Sequence, residues 1–268
     1  MRHLAWHLHT FRWRALAASV GVFVLAGWYS ATRLSSVTEA TAWDAWLLSL
    51  QGPRPGNLVL LDVTQWWLLY VLFLYLTGDI PNADLLARGE GLLPRLGSRR
   101  HWWVGKLAAL GILVMAYTAA VLIAILGGAG ARLPMISVIH PEIFGLTRTV
   151  EPLSLVVAVF LLVASTLLSL AVLQWFLSIL WRNAFQGFLA VMGLMTVSLF
   201  LGMSRLVPAR WLPGTQSILT WHTLYDAQAD FSITWSLLYN TTLLAVLLAV
   251  SFKSIVRLDI FSHRAHHT

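Results

Sequence analysis

Cysteine is absent from this 268-residue chain, and charge is scarce: Asp, Glu, Lys and Arg together supply 11% of it. Without cysteine there are no disulfides, no thiolate metal ligands and no Cys nucleophile. The shortage of charge excludes more. A water-soluble domain draws about 25% of its residues from the charged set. With 58% hydrophobic residues and a mean hydropathy of +0.74, too few charges remain here to coat a soluble surface. Several chemical signatures are missing as well. The one Gly-Lys pair, Gly105-Lys106, has Arg100 where a phosphate loop needs its first Gly and Leu107 where it needs Ser or Thr, so the chain does not hold ATP by that motif. Neither H-E-x-x-H nor G-x-S-x-G occurs. No His falls in the middle of an apolar run, which argues against haem held between helices. His263, His266 and His267 in the tail offer no closed metal geometry. No catalytic residue, cofactor site or metal site is expected on this chain.

What the chain does have is apolar runs near twenty residues, each long enough at 1.5 Å per residue to cross a hydrocarbon layer of about 30 Å. They predict an all-α polytopic membrane protein forming one transmembrane domain over 1–268, with six spans at about 15–32, 58–76, 102–126, 153–181, 184–206 and 233–252. QGPRPGN at 51–57, GGAG at 127–130 and Arg182-Asn183 break the runs. The fourth span is long enough that it must tilt or project. Residues 33–57, with Arg33, Glu39, Asp44 and Arg54, are expected as a polar loop, and so are residues 131–152. Residues 207–232 mix Trp, Leu and Tyr with polar groups and suit short interfacial or re-entrant helices. Residues 1–14, MRHLAWHLHTFRWR, place Leu4, Leu8 and Phe11 at helical spacing among Arg and His, which predicts a helix lying on the membrane surface. A signal peptide is the alternative there, but Trp28-Tyr29 ends the run without an A-x-A site.

A net charge of +7 and a pI near 10.4 would suggest nucleic acid as partner of a soluble protein. Here the basic residues stand at the membrane edges, so topology explains them and no nucleic acid is expected. Twelve of the eighteen Lys and Arg fall on the side that holds both termini, the central loop 79–106 and Arg182, which makes that side cytoplasmic. Trp66-Trp67, Trp102-Trp103, Trp181, Trp211 and Trp221 lie near predicted interfaces and read as an aromatic belt. Asp62, with Gln65 beside it, is the one ionisable group set inside a span; it is either an intramembrane polar site or a helix-end carboxylate wetted at the interface. Arg205 either pairs with it or snorkels. An intramembrane enzyme built on Asp62 with His140 or His222 lacks a nucleophile and base placed together. Ala17 and Gly21, four apart, allow close helix contact.

The polar loop 79–106 is the sharpest internal break. Asn82 or Asp84 caps a short helix over Leu85 to about Leu93, Pro94 ends it, and Gly97-Ser98 can cap the third span. Arg88, Arg95, Arg99, Arg100 and Lys106 form a basic collar suited to anionic lipid headgroups. The run Arg95-Leu96-Gly97-Ser98-Arg99-Arg100, followed by Trp102-Trp103 and Lys106, resembles the R-x-G-S-R-x-x-W-x-x-x-K segment of bacterial ABC-2 type permeases. The order of surface helix, six spans and a helix between spans two and three is similar too. That resemblance implies a bacterial cytoplasmic-membrane subunit that pairs as a homodimer or with a sister permease and docks an ABC ATPase subunit. ATP and Mg would be bound by that partner. It further implies a coupling helix at about Asp84 to Leu93, with Leu85, Leu86, Arg88 and Leu92 facing the ATPase and Arg95, Gly97, Ser98, Arg99 and Arg100 orienting the junction. Export of a lipid, peptide or antibiotic is the function it implies. The alternative is a non-transporting scaffold or sensor that recruits a cytoplasmic partner through the same loop.

Overall fold

A computed structural model describes residues 13–82, 99–146, 151–225, 229 and 231–257. Among these residues the chain is helical, with no strand and only isolated bridges at Arg54–Asn57 and His222–Phe231. In order, the helices are α1 (Trp13–Leu34), α2 (Ala42–Leu50), α3 (Leu60–Thr77), α4 (Arg99–Gly130), α5 (Pro141–Phe144), α6 (Pro152–Leu180), α7 (Ala184–Met203) and α8 (Ile233–Arg257). Three 3-10 turns, Ala209–Trp211, Pro213–Thr215 and Leu219–Trp221, lie between α7 and α8. Six helices are long and apolar enough to cross a membrane: Trp13–Leu34, Leu60–Asn82, Arg100–Gly130, Pro152–Leu180, Ala184–Met203 and Ile233–Ser254. They match the six expected spans. The surface helix expected over 1–14 lies outside the described residues except for Trp13 and Arg14, which belong to α1. The tail beyond 257 and the short helix expected at 84–93 lie outside them too.

The most extensive pairing is between α1 and α4. A Cβ on Gly27 would fall inside the carbonyl of Ile125, and one on Gly128 inside the carbonyl of Val24. Two backbones can approach this closely only where side chains are missing, which is how helices gain packing contact in lipid. Gly21, offered by the sequence for this role together with Ala17, has nothing within 4 Å of a built Cβ. The contact falls six residues further along because the helices cross near the end away from residues 83–98.

Residues 42–50 are a helix where a polar loop was expected, and all but Trp43 are buried. Thr41 and Asp44 form a capping box at its start, and its run AWDAWLLSL is apolar enough to be driven inward. At its start Ala42 N–H donates to the Pro134 carbonyl at 3.0 Å. At its end Ser49 donates to Ser30 Oγ at 2.8 Å, one turn inside α1. Nine residues at 1.5 Å each carry the chain about 13 Å down into the bundle. It seats on α1, α3 and α4.

The tryptophans divide differently from the expected belt. Trp67, Trp181 and Trp211 are exposed, but Trp66, Trp102, Trp103 and Trp221 are buried, together with Trp46 and Trp175. Buried indoles need an acceptor for the ring N–H. Trp46 donates to the Leu122 carbonyl at 3.1 Å, Trp66 to Ser217 Oγ at 3.1 Å, Trp103 to Ser251 Oγ at 3.3 Å, Trp175 to the Thr77 carbonyl at 2.9 Å and Trp221 to the Pro53 carbonyl at 2.8 Å. Each bond joins two different elements. The helix α8, little buried overall, turns Ser236, Asn240 and Ser251 inward on one face.

Replacing Gly128 with Val should separate α1 from α4 and lower stability by about 1–3 kcal/mol, the usual cost of overpacking. Gly21→Val should leave it within about 0.5 kcal/mol. Thermal unfolding of the two variants in one detergent, followed by size-exclusion chromatography, checks the difference.

Candidate functional site

The expected coupling residues Asp84, Leu85, Leu86, Arg88, Leu92, Arg95, Gly97 and Ser98 lie outside the described residues. Arg99 is the first residue of α4, and Arg100 is exposed with its guanidinium 5.9 Å from the Phe252 ring centre. The two anchorages of this loop are described in detail. On the α3 side, Asn82 Nδ2 donates to the Ser178 carbonyl at 2.9 Å, Trp175 Nε1 to the Thr77 carbonyl at 2.9 Å and Gln174 Nε2 to the Leu74 carbonyl at 3.1 Å. The end of the second span is therefore clamped to the last turns of α6, just before the sharp reversal into α7. That reversal places Arg182 in the left-handed region, and Asn183 Oδ1 accepts from the N–H groups of Phe185 and Gln186 to cap α7.

On the α4 side, Lys106 was expected in the basic collar, but it is fully buried. It lies three and four residues after Trp103 and Trp102, which places all three on one inward face of the helix. Trp103 continues inward to Trp175, with ring centres 6.3 Å apart. The W-W-x-x-K spacing was the signal for an inward lysine. A count of basic residues along the loop hid it.

The opposite end of the bundle is built from α2, the 134–140 strap and residues 207–225. Asp44 is wholly buried and accepts four bonds: Thr41 N–H at 2.9 Å, Thr41 Oγ1 at 3.0 Å, His140 N–H at 2.8 Å and His140 Nδ1 at 2.8 Å. The bond to Asp44 raises the pKa of His140 above the ordinary 6.5, with burial opposing it. Asp62 pairs with Arg33 across α1 and α3 at 3.2 Å, and not with Arg205. Gln65 Nε2 reaches Ser30 Oγ at 3.4 Å, while its Oε1 has no partner among the described residues. Beside it lies a cavity of about 10 Å³, lined also by Ser49 and Ser217, with room for about one water.

His222 is fully buried, and burial lowers its pKa to about 4, partly offset by the Ile218 carbonyl. The ring is therefore neutral. Nδ1 faces the Ile218 carbonyl at 2.9 Å and so carries the proton, leaving Nε2 2.9 Å from Ser236 Oγ. Ser236 also lies 2.9 Å from Gln216 Oε1, so its one proton is shared between Nε2 and that oxygen, and Gln216 Nε2 donates to the carbonyls of Arg210 and Leu212 at 3.0 and 2.9 Å. This chain of bonds ties the 3-10 turns to the first turn of α8. Asp62, His140 and His222 thus belong to three separate hydrogen-bonded groups. Among the described residues no three His, Cys, Asp or Glu side chains gather as metal ligands would.

Comparison with protein-family models, with curated proteins and with solved structures finds no match to this chain. Its class rests on its own architecture: a helical, multi-pass membrane protein.

The two histidines predict opposite pH responses. The His140–Asp44 pair stabilises fully below pH 6.5 and fades as pH rises through the raised value of His140. His222 contributes above pH 6.5, and its contribution is lost as pH falls towards about 4. His140→Gln should therefore melt roughly 2–4 °C below the parent at about pH 6 and approach it at about pH 9. Melting curves in detergent at the two pH values check the convergence.

Proposed function

We propose that this chain is the membrane permease subunit of an ATP-binding-cassette exporter of the ABC-2 type, with ATP hydrolysed on a separate ATPase chain. The reading begins with the Arg95 to Lys106 segment and its likeness to those permeases. The observation that carries it is the clamp at Thr77–Asn82, because a coupling device must be firmly attached to the helices it moves. Closure of two ATPases would press on the helix at about Asp84 to Leu93. The displacement would reach Ser178 through Asn82 and Trp175 through Thr77, and so act on the reversal between α6 and α7. A bilayer-embedded lever of this kind moves an amphipathic or hydrophobic substrate, lipid, peptide or antibiotic, through a cavity shared with a second permease. That second permease is another copy or a sister chain. In this reading both termini and residues 83–98 are cytoplasmic, in the cytoplasmic membrane of a bacterium.

Co-expression of the tagged chain with its neighbouring genes should recover an ATPase in stoichiometric amount, and Leu86→Asp should abolish that recovery. Asn82→Leu should keep the ATPase bound but reduce its stimulated hydrolysis several-fold, since it removes one bond of the clamp and leaves Leu85, Leu86 and Leu92, and the alternative cap Asp84, unchanged. Purification of a stable, folded chain with no ATPase would overturn the reading. It would favour the scaffold alternative.

A further inference from the structure

At the end of α7, Ser204 N–H bonds the Phe200 carbonyl at 2.9 Å and Arg205 N–H bonds the Gly202 carbonyl at 3.1 Å. Arg205 closes the helix in the left-handed region, at φ 56°. Glycine is the usual residue there, because an L side chain is strained in that conformation. Here the position is held by an arginine, and the arginine lines a cleft of about 450 Å³. That volume suits a small ligand or the head of a larger one.

One wall of the cleft is carbon. Val207, Pro208, Trp221 and Phe231 line it, and among the described residues that do, Arg205 is the one that carries charge. Thr220 also lines it, but its hydroxyl donates to the Pro53 carbonyl at 2.7 Å, and Trp221 Nε1 donates to the same carbonyl at 2.8 Å. Both polar groups are engaged and hold the wall in place. Other arginines are engaged: Arg33 by Asp62, Arg132 by the Trp28 ring at 4.6 Å and Arg210 by the Trp211 ring at 5.5 Å. Arg205 forms no ion pair among the described residues. A cation kept at a strained position, beside an apolar wall with its own polar groups satisfied, has the chemistry of a receptor for an amphipathic anion.

We propose that this cleft binds the anionic head of an amphipathic molecule, its phosphate or carboxylate on Arg205 and its adjoining carbon segment against Trp221 and Phe231. A bilayer phospholipid and a carried amphiphile present the same chemistry. The site does not depend on ATP-driven transport, so loss of the ATPase partnership would leave it standing.

The test uses the full chain in phosphatidylcholine nanodiscs, titrated calorimetrically with dihexanoyl phosphatidic acid, dihexanoyl phosphatidylcholine and inorganic phosphate. The acid should bind at least about tenfold more tightly than the other two, and Arg205→Gly should weaken it about tenfold. Glycine relieves the backbone at this position, so that variant should melt at or above the parent temperature, which separates lost binding from lost fold. Arg205→Lys should retain part of the affinity. Native mass spectrometry of protein taken from its own membranes distinguishes the sources. A retained phospholipid missing from Arg205→Gly marks a bilayer lipid, and an empty site that still takes the added acid marks a carried amphiphile. Equal binding by Arg205→Gly, no preference for the acid over the choline ester, or inorganic phosphate binding as tightly as the acid would each overturn the proposal.

Discussion

The carbonyl groups of Ile125 and Val24 occupy the space that side chains at Gly27 and Gly128 would need. The short helix α2 is laid against that crossing. With α1 and α4 this close, Trp46 of α2 reaches the Leu122 carbonyl and Ser49 reaches Ser30, so the short helix is gripped from both sides. The loop after α2 then supplies the Gln51 and Pro53 carbonyls on which residues 220–221 hang. A chain of dependence therefore runs from two glycines to the wall of the Arg205 cleft. Apolar burial does not explain this order by itself, because lipid tails solvate Leu and Val as well as protein does.

The six spans were legible because hydropathy over twenty residues is a one-dimensional signal, and lipid imposes it strongly. Helix α2 was not, since nine residues are too few for a span and Asp44 and Ser49 made the stretch look wettable. Its Thr41-x-x-Asp44 spacing was a visible helix start. Side-chain orientation was harder still. Trp66 and Trp67 are adjacent in sequence, yet one is buried and the other exposed, and only the rotation of α3 decides which. Ala17 and Gly21 only permit close helix contact, and the crossing within the chain lies at Gly27, because small residues are common in spans and the crossing point depends on both partners. Asp62 was recognised as a depth-ambiguous carboxylate, but its partner Arg33 came from the preceding span and not from the fifth.

Away from water, polar groups become connectors. Five buried indoles, the Asp44–His140 pair and the Gln216–Ser236–His222 chain each join elements far apart in sequence. The same economy governs both ends of the bundle. Near residues 83–98 the connectors are amide and indole donors aimed at carbonyls in the last turns of α3 and α6. At the other end they are side-chain pairs around a re-entrant helix and the 3-10 turns. Both ends also use indole donors, Trp103 to Ser251 at one and Trp46 and Trp221 to carbonyls at the other.

The inward polar face of α8 also bears on the order in which the protein is assembled. Asn240 Nδ2 donates to Ser165 Oγ at 3.1 Å and to Thr166 Oγ1 at 2.8 Å. Those two hydroxyls already donate back to the Leu162 carbonyl within α6, at 3.1 and 2.9 Å. As the chain leaves the ribosome, α6 can therefore wait in the bilayer with its own donors satisfied. Asn240 arrives last, carrying an amide whose acceptors lie on α6. Synthesis from the N-terminus therefore brings the sixth span to hydroxyls already in place on α6, and Asn240 latches it there.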